Sequence, residues 1–111
     1  MTIEADIDSL ALDAERAIAV GLLVTELATN AIKYAYPGRD GIVMIELRND
    51  REEFRLSVSD QGKGLPQPFD LKNSGRHNLG MRMIDSLTRQ LQGRIDISSS
   101  GGTKFTITAP Q

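Results

Sequence analysis

The 111 residues, 40% hydrophobic and 25% charged, suffice for one globular domain spanning residues 1–111 and are too few for two. A formal net charge of −2 excludes a broadly basic nucleic-acid or membrane surface, and the lack of cysteine excludes a disulfide scaffold or a thiolate metal site. His77 is the single histidine, so no multi-histidine metal centre is possible.

No apolar run approaches the roughly 20 residues of a membrane span. The first residues alternate and carry acids, unlike a signal peptide. The expected setting is cytoplasmic, with no direct membrane contact and no nucleic acid.

In chain order, residues 2–8 alternate with Ile3, Ala5 and Ile7 on one side and predict an opening strand. Residues 13–34 predict one long helix, with Asp13 as N-cap and Tyr36-Pro37-Gly38 as its end. Its expected apolar face holds Val20, Val24, Leu27, Ala28, Ala31 and Ile32. Residues 42–48 and 54–60 predict two strands joined through Asn49-Asp50. A second helix is expected over 80–92, with Gly93 as its stop. A last hairpin spans 94–98 and 103–109 around Gly101-Gly102. Two helices can cover one face of such a sheet, which gives a two-layer α/β sandwich with a mixed, largely antiparallel sheet. Residues 65–79, rich in Pro, Asn, Ser and Gly, lack periodicity. A loop of that length is usually functional, and this one reads as a lid.

The chemistry-bearing stretch is "SVSDQGKGLP", residues 57–66. Phe54, Leu56 and Val58 share one strand face, and Asp60 continues their phase, aimed at the core. An inward carboxylate is costly unless the chain or a ligand donates hydrogen bonds to it. Gly62 and Gly64 follow, removing side chains where the backbone leaves the sheet, so that a flat ligand could approach. Thr103, in phase with Phe105 and Ile107, adds an inward hydroxyl. A carboxylate and a hydroxyl suit a heterocycle with an exocyclic amine, such as adenine. Glu26, Asn30 and Lys33 stand at i, i+4 and i+7, within roughly 60° of one another on the side opposite the apolar face. Read alone, that stripe is equally a solvated helix face. Gly80 opens the second helix, where free N–H groups favour phosphate oxygens; no Walker loop occurs.

Four boxes in order resemble one family. These are E-x-x-x-N-A-x-K-Y from Glu26 to Tyr34, D-x-G-x-G from Asp60 to Gly64, the glycine at Gly80, and "GGTKFTI" near the end. The chain resembles the ATP-binding catalytic domain of sensor histidine kinases, with the Bergerat fold shared by gyrase, chaperone and mismatch-repair ATPases. "SLTRQLQG" further resembles kinases whose phosphoacceptor helix carries an H-R-x-x-N-type motif. The resemblance implies that Asp60 receives the adenine amine, with Gly62, Gly64 and Thr103 around it. It also implies that Asn30 holds Mg2+, and that Lys33 and Tyr34 touch phosphates and ribose. Glu26 would act as base or water-positioner, while the Leu79-Gly80-Met81 backbone cradles the phosphates of ATP. Asn78 stands where many relatives have a second glycine, and Gln61 where Asn is common.

The implied partners are a helical dimerisation domain of the same kinase, carrying the histidine that is phosphorylated, and a response regulator. His77 falls in the lid and reads as a residue near the nucleotide, so the chain reads as a fragment of a longer kinase. A free-standing protein-serine kinase of the anti-sigma-factor type would carry the same boxes. A purely nucleotide-sensing module would not need Glu26.

Overall fold

The long helix starts where its N-cap predicts. In the computed structural model, which describes residues 2–35, 41–61, 79–99 and 101–111, Asp13 is extended and its Oδ1 accepts the Arg16 N–H at 2.9 Å. That bond satisfies one of the donors that a helix start leaves without a partner. Helix α1 (Ala14–Asn30) runs on into a π-helical turn, Ala31–Ala35. The strands are β1 (Thr2–Ile7), β2 (Ile42–Asp50), β3 (Glu53–Asp60), β4 (Arg94–Ser98) and β5 (Lys104–Pro110), and helix α2 (Leu79–Gln90) lies between β3 and β4.

The strands form one sheet in the order β1-β2-β3-β5-β4. β1 and β2 are parallel, because α1 carries the chain from one back to the start of the other. The remaining pairs are antiparallel. This is the mixed, largely antiparallel sandwich that the element order predicts.

Alternation sorts each strand. Phe54, Leu56 and Val58 are buried, level with Val43 and Ile45 on β2 and with Phe105, Ile107 and Ala109 on β5. Leu23 and Leu27 from α1, Ile84 and Leu87 from α2, and Leu91 just beyond it complete the core. Each large apolar side chain so buried contributes about 1.5–3 kcal/mol. The helices run antiparallel and are tied at both ends. Asn30 meets Met81 at one end. At the other, the Arg16 guanidinium lies over the Phe54 ring and donates to the carbonyls of Leu91 and Pro110. On the helix-free face Arg48 reaches Asp6, Asp8 and Glu46 at 2.8, 3.6 and 3.0 Å, tying β1 to β2. The Arg48 hydrogen bond and charge hold the Asp6 carboxyl below its usual range.

Three local expectations are corrected. The buried face of α1 centres on Ala19, Leu23 and Leu27 rather than on Val24 and Ala28, and Ile32 is 41% exposed. α1 packs on β3 and more extensively on α2, so its buried face is turned toward α2. The β2–β3 turn is Arg51-Glu52, since Asn49 and Asp50 still pair with Phe54 and Glu53. Arg51 takes φ 69°, the left-handed conformation that a two-residue hairpin loop demands, and Asn49 braces it by accepting the Arg51 N–H.

The end of α2 is the third. Gln92, not Gly93, adopts the left-handed conformation, at φ 59°. Its N–H donates to Arg89 and the Gly93 N–H to Thr88, both at 2.9 Å, a Schellman closure. Gly93 is needed for a different reason: a Cβ there would lie 2.9 Å from the Thr108 carbonyl oxygen. Gln92→Gly is therefore expected to raise stability by about 0.5–1 kcal/mol. Gly93→Ala should lower it by about 1–3 kcal/mol, because backbone must move. Urea unfolding of both variants checks this, and a neutral Gly93→Ala would contradict it.

Candidate functional site

The topology brings the sequence-predicted residues to one end of the sheet. The π-helical turn that ends α1 packs on β3. β2 begins beside the end of β3, since Val43 pairs with Asp60. β5 begins beside that same end, with Ser59 opposite Lys104. The start of α2 is brought in by its contact with Asn30.

The centre of this end is a reciprocal pair. The Asp60 N–H donates to the Thr103 carbonyl at 2.9 Å. The Thr103 N–H donates back to Asp60 Oδ1 at 3.2 Å. The chain thus supplies a donor to the inward carboxylate, which is half-buried. Thr103 is 5% exposed, in phase with Phe105 and Ile107.

Sequence reasoning missed what holds this pair together. Gly102, at φ 124°, packs so closely that a Cβ would lie 2.2 Å from the Asp60 carbonyl oxygen and 2.9 Å from the Gln61 Cα. No side chain fits there, and the positive φ disfavours one as well. The available signal was the glycine pair directly before an inward threonine.

On α1 the structure separates the polar stripe. Asn30 is 8% exposed, the continuation at i+7 and i+3 of Leu23 and Leu27, and not on the side opposite the core as its spacing from Glu26 suggested. The rotation of α1 toward α2 explains the difference. Its Nδ2 donates to Met81 Sδ at 3.3 Å, and Met81 is itself 4% exposed. A thioether accepts but cannot donate, so the amide nitrogen must be the group that faces it. The carboxamide oxygen is turned away from the sulfur. Glu26 is half-buried and Lys33 exposed on the neighbouring flank. Leu79 and Gly80 form the first turn of α2, which begins one residue earlier than expected. The Tyr34 side chain, Gly62, Gly64, His77, Asn78 and the lid up to residue 78 lie outside the described residues.

The Gly102 packing gives a direct test. Gly102→Ala should destabilise the domain by at least about 2 kcal/mol, since the clash is with backbone and φ is positive. In an amide NMR spectrum the largest shifts should fall on Ser59, Asp60, Gln61, Thr103 and Lys104. Unchanged stability and shifts would mean that the close approach is not required.

A family model described as "Histidine kinase-, DNA gyrase B-, and HSP90-like ATPase" matches residues 15–111. Blue-light-activated histidine kinase 2 of Erythrobacter litoralis is 35% identical over 107 residues, covering 93% of this chain and 30% of that protein. The sensor histidine kinase PdtaS of Mycolicibacterium smegmatis is 36% identical over 104 residues, covering 89% of this chain and 20% of that protein. The chain therefore spans less than a third of the length of these curated relatives. Among solved structures, the histidine kinase domain of a blue-light-activated histidine kinase from Erythrobacter litoralis is similar with a TM-score of 0.88 and 30% identity, over 98% of this chain and 51% of that one. The catalytic domain of the histidine kinase ThkA, at 19% identity and a TM-score of 0.77, shares the fold. Sequence, topology and inward carboxylate agree: the chain belongs to the histidine kinase-, DNA gyrase B- and HSP90-like ATPase family, as an ATP-binding catalytic domain of the kind found in sensor histidine kinases.

Proposed function

We propose that this single domain holds Mg-ATP at the β3–β5 end and presents the γ-phosphoryl group to a histidine on a separate helical dimerisation domain. The observation that carries the reading is the inward Asp60, paired reciprocally with Thr103, at the end where Asn30 and the start of α2 also meet. Asp60 accepts from the exocyclic amine of adenine, Thr103 supports it, and Gly62 and Gly64 give the ring room. The Leu79-Gly80-Met81 N–H groups at the start of α2 receive phosphate oxygens. Lys33 and Tyr34 contact phosphates and ribose.

Asn30 suits a hard cation: its amide nitrogen is committed to sulfur, leaving an oxygen donor of the type that magnesium prefers. When bound, magnesium would neutralise charge on the phosphates. Glu26, one turn before Asn30, takes the proton from one imidazole nitrogen while the other, unprotonated nitrogen attacks, so that the new P–N bond forms as the bond to the ADP oxygen breaks. The phosphoryl group would then pass to a response regulator, and the setting proposed is cytoplasmic. Among the described residues no helix is long and apolar enough to cross a membrane.

Catalysis of this kind rests on positioning and charge, so the isolated chain should barely phosphorylate itself. Adding the helical histidine domain of a relative in trans should yield acid-labile phosphohistidine on that helix. Glu26→Gln should lower this rate at least about tenfold while changing ATP affinity less than about twofold. Transfer to a serine-bearing partner instead, or stoichiometric phosphate on His77 of the isolated chain, would overturn the reading.

A further inference from the structure

We propose that Met81 is a positioning residue for Asn30, its thioether fixing which end of the Asn30 carboxamide faces the metal. The inference rests on the reading of Asn30 as metal ligand and adds a residue that acts through it. Among the described residues, the hydrogen bond from Nδ2 to Met81 Sδ at 3.3 Å is the one that the Asn30 side chain makes. Both residues are more than nine-tenths buried, so the amide has little freedom to turn.

The chemistry at the contact is one-directional. With nitrogen toward sulfur, the amide donates to a lone pair. With oxygen toward sulfur, two lone-pair centres would meet and a buried N–H would point elsewhere. The amide therefore has one favourable orientation, with its oxygen directed away from α2. A leucine of similar volume at position 81 would fill the space but accept nothing. The amide could then turn over, and part of the time it would offer N–H groups to a cation.

The contact also joins two elements that the proposed site needs in register. Met81 is the third residue of α2, in the same first turn as Leu79 and Gly80, whose N–H groups are read as phosphate donors. Asn30 is the last residue of α1. A single hydrogen bond between these two side chains thus sets the metal ligand relative to the phosphate cradle before any ligand arrives.

Two measurements on Met81→Leu test this. The swap conserves volume, so the domain should stay folded. First, in the nucleotide-free domain the Asn30 side-chain NH2 signals should exchange slowly with water in the parent and at least about threefold faster in Met81→Leu. Second, calorimetry with a non-hydrolysable ATP analogue, with and without Mg2+, should show the magnesium-dependent gain reduced about threefold to tenfold, the reach of one weak neutral hydrogen bond. The gain is the ratio of affinities with and without Mg2+ within each variant, so any change that Met81→Leu makes to phosphate binding itself cancels. Adding Met81→Leu to Asn30→Ala should cost nothing more, because the effect passes through Asn30. If Asn30→Ala loses the gain and Met81→Leu keeps it, Met81 has no positioning role and the metal reading stands. If Asn30→Ala keeps the gain, Asn30 is not the ligand and the role of Met81 falls with it. Equal NH2 exchange in parent and Met81→Leu would also overturn the proposal.

Discussion

A carboxylate aimed into the sheet's buried face has to be given partners, and at the end of β3 that requirement organises the structure around it. Asp60 continues the phase of Phe54, Leu56 and Val58, so burial of those three decides where its carboxylate points. Burying such a group without hydrogen bonds would cost several kcal/mol. The neighbouring strand answers through the Thr103 N–H. That answer depends on the close approach of Gly102 to the Asp60 carbonyl, where no Cβ can be accommodated. The hydrophobic core and the polar spot are thus parts of one strand ladder.

Helix α1 works in the same way. Ala19, Leu23 and Leu27 anchor it to the sheet, and the next residue along that stripe is Asn30. The core ends in a carboxamide rather than another leucine, and α2 supplies the sulfur that accepts from it. The same packing that stabilises the two-layer sandwich therefore fixes the orientation of a group proposed to hold the metal. The Arg16 guanidinium, tied to Leu91 and Pro110 at the far end, keeps the two helices aligned over their length.

Much of this was legible in the sequence because it rests on period and punctuation. The alternation through Phe54, Leu56, Val58 and Asp60 gave the strand and its faces, and Asp13 marked the helix start. What was not legible rests on neighbours distant in the chain. The rotation of α1 depends on α2, so Asn30 was assigned to the wrong face. The turn at Arg51-Glu52 is braced by Asn49, whose amide also bonds Ser9 and Gln111; its sequence looked more turn-like than that of the residues that do turn. Gly93 was recognised as a helix-end glycine, but its role comes from the approach of the Thr108 carbonyl. The Met81 backbone was read as part of the phosphate cradle, but its side chain carried no signal, since a sulfur acceptor is visible only once its donor is placed.

The central claim is that the inward carboxylate selects adenine. Calorimetry of ATP and GTP binding to the parent domain and to Asp60→Ala tests it most directly. A hydrogen bond to a charged group is worth about 1.5–3 kcal/mol, so Asp60→Ala should weaken ATP binding at least about tenfold. GTP, which offers a carbonyl oxygen where adenine offers an amine, should bind the parent poorly and lose little on substitution. Equal affinity of the parent for ATP and GTP, or undiminished ATP binding by Asp60→Ala, would contradict the account.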